Sequence, residues 1–305
     1  MNIPEMINKW LIEFFVGICN TMLGGFVAFI NMISTTDILG SSFKNLLGET
    51  SGNGTSVYTL AKALHDIGVV PIAHSILALV MLVQIIKISQ KMDASATIPT
   101  LKEILTIAVF FTIFSYLINN SVTLCEAIFT EAGNLTQLMR EWTGMGNGLV
   151  LGNISVSAND VADPSMVINT LILCIVAWIM SLIAYLVALV TTYARAFQLY
   201  VMMAFSPIPL ALLGFDETRS SGVNFIRSFV ALCLSFTILM FTLFCFPYVV
   251  AGLVSDVAGG GVIEVISNMT SGSTSIALLK LLAICLVLIF AIVKSGSFAK
   301  EIMGG

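Results

Sequence analysis

The chain has 305 residues, 58% hydrophobic and 10% charged, with a mean hydropathy of +1.01 and a formal net charge of −4. Soluble globular chains carry roughly 25% charged residues, so this composition excludes an ordinary soluble domain. The acidic balance also excludes a basic tail of the kind that wraps nucleic acid.

Apolar runs of bilayer-crossing length predict helices, because hydrocarbon offers backbone groups no partner, and they are too long for the strands of a membrane barrel. Six spans are read in chain order, at about 10–33, 69–88, 103–119, 166–193, 225–253 and 276–294. The fold class is an all-α polytopic membrane protein of about six transmembrane helices. It has five if the first, which carries Glu13 and Gly24-Gly25, lies in the interface. The chain then divides into an N-terminal anchor or interfacial helix (1–33), an external loop (34–68) and a helical hairpin (69–119) with a cytoplasmic loop at 89–102. An external region (120–165) and a C-terminal membrane domain (166–305) follow. Within 120–165, Val122, Cys125, Phe129, Leu138, Met139 and Trp142 fall at helical spacing and predict an amphipathic helix.

Lys and Arg set the orientation. Lys9, Lys87, Lys91, Lys102, Arg195, Arg219, Arg227, Lys294 and Lys300 fall on one side, and by the positive-inside rule this side is the cytoplasm. Both termini are therefore expected there. The uncharged run Phe197–Phe215 lies between helices that end and begin on that side. It holds Ser206-Pro207-Ile208-Pro209, and proline both lacks a donor and disfavours the helical region for its predecessor. A re-entrant or interfacial helical hairpin is predicted over 196–215, broken at Phe205, Ser206, Pro207 and Pro209, with an ordinary proline-kinked transmembrane helix as the alternative. Arg195, Asp216, Glu217, Arg219 and Arg227 form a candidate cytoplasmic docking or substrate face. The rival reading makes them membrane anchors whose arginines pair with Asp216 and Glu217.

Motifs for chemistry are sparse. The sequence has no Walker A, GxSxG or HExxH pattern, and its six cysteines follow no ligand spacing. His65 and His74, nine residues apart, do not share a helical face as paired ligands would. Charges cluster at span ends rather than at the midplane, where transporters keep theirs. No enzymatic activity, metal or cofactor is expected.

The block YARAFQLYVMMAFSPIPLALLGFDETRSSGVNFIRSFVALCLS, residues 193–235, resembles the TrbL-like polytopic inner-membrane proteins of conjugative type IV secretion systems, of the kind carried by integrative elements of Gram-positive bacteria. The shared features are the aromatic and arginine approach, the Ala-Phe-x-Pro-Ile-Pro turn, the acidic stop and the Phe-Ile-Arg start of the next helix. The resemblance implies a channel or scaffold subunit of the bacterial cytoplasmic (inner) membrane, with a cytoplasmic C-terminus. It would help move single-stranded DNA with attached relaxase, or protein. The implied partners are copies of itself, other type IV secretion membrane subunits, separate ATPases, the lipid bilayer and, transiently, the DNA–relaxase substrate. A solute transporter or permease subunit and a purely structural assembly factor remain the alternatives.

Overall fold

A computed structural model describes residues 3–34, 42–47, 56–95, 101–143, 164–214, 217–254 and 274–304. Among them the chain is helical: α1 (Ile3–Ser34), a single 3-10 turn (Phe43–Asn45), α2 (Val57–Ala63), a π-helical turn (Leu64–Val69) and α3 (Val70–Ser95). After these come α4 (Leu101–Asn119), α5 (Ser121–Thr143), α6 (Pro164–Phe205), α7 (Pro207–Leu212), α8 (Arg219–Val254) and α9 (Thr274–Ile302). Five stretches are long and apolar enough to cross a membrane: Met6–Met32, Val57–Gln90, Ile168–Phe205, Arg219–Phe246 and Leu279–Ile302. The α4–α5 pair, bent by 65°, makes a sixth if taken as one broken span. The expected all-helical membrane architecture is therefore what the chain adopts. Large apolar side chains such as Leu79, Leu82, Leu286, Val287 and Phe290 are more than half exposed. Exposed apolar surface on this scale suits lipid rather than water.

Two boundaries differ from the sequence reading. Residues 57–68, read as loop, are helical and continue into α3. Ser56 caps them, its side chain accepting from Thr59 N at 3.2 Å. Pro71 cannot donate to the Ile67 carbonyl, and the preceding turn widens to the π form instead of breaking, with Val70 N bonded to His65 O. The second difference is α6, which does not end near residue 193 but runs unbroken through Arg195 to Phe205.

The chain forms two compact units. The first comprises Met1–Leu39, Leu135–Thr192 and Phe236–Gly296. Its core is built from stripes at helical spacing, such as Cys19, Leu23, Phe26 and Ile30 on α1 and Leu281, Ile284, Leu288 and Ile292 on α9. The facing stripe of α6 is small: Cys174, Ala177, Ser181, Ala184 and Ala188 are all buried. Without a hydrophobic drive between helices in lipid, small residues of this kind allow the close backbone approach that dispersion needs. Gly25 shows the same economy, since a Cβ there would stand 2.8 Å from Trp178 Nε1. Thr136 Oγ1 donates to Thr237 Oγ1 at 3.2 Å and ties α5 to α8 within this unit.

The second unit comprises Gly40–Asn134, Tyr193–Ser235 and Ser297–Gly305. Its spine is the column formed by α2, the π turn and α3. Ala73, Leu77 and Met81 of α3 enclose a buried core with Ile118 of α4 and Ala211 of α7.

Candidate functional site

The proline segment is embedded in the second unit. Pro207 lacks the N–H that would bond the Met203 carbonyl, and Ser206 replaces it twice over. Its backbone N–H reaches Met203 O at 3.2 Å and its hydroxyl donates to the same oxygen at 2.8 Å. Ser206 is fully buried and stays in the right-handed helical region, at φ −57° and ψ −30°. The expected expulsion of Ser206 from helical geometry does not occur. The hydroxyl supplies the missing bond, and Pro207 takes the first position of α7, where an N–H would be idle anyway. Pro209 sits inside that short helix. Cys125 of α5 lies within hydrogen-bonding reach of Ser206 and fastens the junction from the side.

The contacts along this segment run one way. Tyr200 packs against Tyr58, with ring centroids 6.2 Å apart. Further on, Ala211 packs with Ala73, Leu77 and Met81. A Cβ on Gly214 would stand 3.3 Å from Met81 Cε, and the Gly214 carbonyl accepts from Gln84 Nε2 at 2.7 Å. Finally Lys87 pairs with Glu217. As the segment advances from Tyr200 to Glu217, its partners advance along the column from Tyr58 to Lys87 without reversing. It does not turn back at Ser206. The return leg is α8, which begins at Arg219 and passes Pro209 and Leu213 at Gly222 and Arg195 at Ser235. The chain turns where Gly214 and Thr218 allow it.

The turn satisfies the carbonyls at the end of α7, which lipid would leave unpaired. Leu213 N bonds Leu210 O at 3.3 Å, Gly214 N bonds Ala211 O at 3.4 Å and Thr218 Oγ1 donates to Leu212 O at 2.8 Å. The bond from Gln84 to Gly214 completes the set.

The candidate charges among the described residues have different partners. Asp216 lies outside the described residues. Glu217 faces Lys87 rather than an arginine. Arg219 and Arg227 are exposed on α8. Arg195 is only 7% exposed and donates from Nη1 to the Ser235 carbonyl at 3.1 Å. A charge that looked like surface is thus held inside, anchored to backbone.

Three groupings escaped the sequence reading. Phe43, Tyr58, Phe129 and Tyr200 form an aromatic cluster, with Phe43 to Phe129 centroids 5.2 Å apart and Phe43 to Tyr200 5.6 Å apart. Tyr200 OH donates to the Phe43 carbonyl at 2.8 Å, and Tyr58 OH to Glu126 Oε1 at 2.5 Å. Buried His65 lies 2.7 Å from Asp66 Oδ1 through Nδ1 and 2.6 Å from Ser121 Oγ through Nε2. His74 Nε2 pairs with Asn119 Oδ1 at 3.0 Å. The only local signal for any of these was Pro71 close behind His65. Among the described residues, no three or more His, Cys, Asp or Glu side chains are grouped to hold a metal ion.

A protein-family model described as "TrbL/VirB6 plasmid conjugal transfer like protein" matches residues 42–207, more than half of the chain. That range takes in the aromatic cluster, the histidine pair and the first of the two prolines. No curated protein and no solved structure matches the chain.

Proposed function

The chain belongs to the TrbL/VirB6 plasmid conjugal transfer-like family, and from that premise we propose that it is a channel or scaffold subunit of a type IV secretion machine. It serves conjugative transfer of single-stranded DNA with its relaxase, or of protein, across the bacterial cytoplasmic membrane. The family match carries this reading, and the apolar helices support the membrane setting. Its partners are copies of itself, other membrane subunits of the machine and the ATPases that supply energy. Walls that let a polyanion pass must not grip it, since each phosphate contact adds affinity. The sparse basic side chains fit that need.

The test is deletion and complementation in a donor cell. Loss of DNA transfer, restored by the gene in trans, is expected, with solute uptake by proteoliposomes of the purified chain absent. Substrate-dependent uptake together with normal transfer by the deletion strain would favour the permease reading instead. Crosslinks trapped during transfer separate channel from scaffold, because only a channel wall joins this chain to DNA or relaxase.

We place the Lys87 and Glu217 end of the second unit, and the C-terminus, in the cytoplasm on the distribution of lysine and arginine. Single cysteines at 45, 140, 218 and 300, in an otherwise cysteine-free chain, test this. An impermeant thiol reagent added outside the cell is expected to reach the first two only. Labelling at 218 overturns the assignment.

A further inference from the structure

His65 is 1% exposed inside the π turn, while its neighbour Asp66 has a side chain that is 54% exposed. The imidazole bridges two elements. Nδ1 faces Asp66 at 2.7 Å and Nε2 faces Ser121 Oγ at 2.6 Å. Ser121 is the first residue of α5, and its hydroxyl also lies 2.9 Å from the Ile118 carbonyl of α4. The three links run in series from the exposed carboxylate to the α4–α5 corner.

Counting hydrogens decides what this chain does. A carboxylate accepts only, so Nδ1 must carry a hydrogen to bond Asp66. If the ring is neutral, Nε2 has no hydrogen and must accept from the Ser121 hydroxyl. That hydroxyl has one hydrogen and then cannot also donate to Ile118. If the ring is protonated, Nε2–H donates to Ser121 Oγ, the hydroxyl turns to Ile118 O, and all three links are made. One proton thus separates two hydrogen-bond patterns. We infer that His65 works a proton-sensitive latch within the α4–α5 corner, the Ser121–Ile118 bond, closed when the imidazole is protonated and opened when the neutral ring draws the Ser121 hydroxyl to Nε2. Protons reach it through exposed Asp66.

The ionisable groups on the surrounding elements are compatible with this. Glu126 and Cys125 of α5, Tyr58 and exposed Lys62 of α2, and Tyr200 of α6 share the unit, with Glu126 engaged by Tyr58. The nearby end of α4 offers Tyr116, which is 69% exposed, and α7 offers none. His74, further along α3, is held by Asn119. The π turn that carries His65 is a rare local geometry of the kind that recurs at functional sites.

The test uses the full chain in lipid nanodiscs. Hydrogen exchange of backbone amides at 118–124, corrected for the intrinsic rate, is expected to quicken roughly fivefold as the pH is raised and His65 is seen by nitrogen-15 NMR to lose its second proton. That factor is the equilibrium worth of one net hydrogen bond. His65→Gln abolishes the dependence, and Ser121→Ala, which keeps the histidine, abolishes it too. In a His74→Gln background the one remaining imidazole shows two protonated nitrogens at the acid end by nitrogen-15 NMR. A flat wild-type profile, an unchanged slope in either variant, or a singly protonated ring throughout overturns the latch.

Discussion

Gly222→Ala is expected to destabilise the protein by about 2–3 kcal/mol, the upper range for forcing atoms into a packed site. A Cβ at Gly222 would meet Leu213 Cγ at 2.5 Å and the Pro209 carbonyl oxygen at 2.6 Å. A leucine side chain can swing away, but a backbone carbonyl inside a short helix cannot. The first turns of α8 would have to lift from α7, loosening the turn that satisfies the carbonyls of Leu212 and Gly214. Gly17→Ala is the control, because a Cβ there meets nothing within 4 Å. In a helix interior alanine is favoured over glycine by roughly 0.5–1 kcal/mol, so Gly17→Ala should be neutral or stabilising. Unfolding midpoints of both variants in detergent micelles make the comparison. Equal midpoints would show that α7 and α8 are not packed as described.

Substitutions at Tyr200 carry the second large effect. This side chain is 2% exposed, at the centre of the aromatic cluster, and bonded to the Phe43 carbonyl. Tyr200→Ala removes a ring from a filled site, at about 3–5 kcal/mol. Tyr200→Phe keeps the ring and strands the carbonyl, at about 1 kcal/mol. The difference between the two isolates the contribution of ring packing. Segment 42–47 is anchored by buried Phe43 and Leu46, and Phe43 packs on Tyr200, so Tyr200→Ala should also open the segment to protease while Tyr200→Phe should not. Equal losses in the two variants would mean that the hydroxyl, not the ring, secures the segment.

The helices and the family were legible in the sequence because both are local signals. Apolar runs of spanning length gave the helices, and the Ala-Phe-x-Pro-Ile-Pro turn at residues 204–209 gave the resemblance. The course of the chain at Ser206 was not legible. Two prolines look like a break until a buried hydroxyl is seen supplying the bond that one of them cannot make. Arg195 misled for a related reason. One-dimensional reading sees its charge, not the Ser235 carbonyl forty residues away that receives it. Tyr200 and Phe43 are separated by 157 residues and His65 and Ser121 by 56, too far for helical periodicity to pair them. The π turn was the nearest miss, since Pro71 stood in plain view but is as compatible with a loop as with a widened turn.

That widened turn also sets a phase. A residue added to a regular helix rotates everything beyond it by about 100° and advances it by 1.5 Å, and the π turn before Pro71 absorbs such an offset. The face of the column that presents Tyr58 and His65 and the face that presents Gln84 and Lys87 are therefore clocked against each other by this one irregularity. Were the turn to tighten into ordinary α-helix with the upper end held, Gln84 and Lys87 would swing away from Gly214 and Glu217. A local change of winding at His65 would thus be read out as rotation at the far end of the same rod.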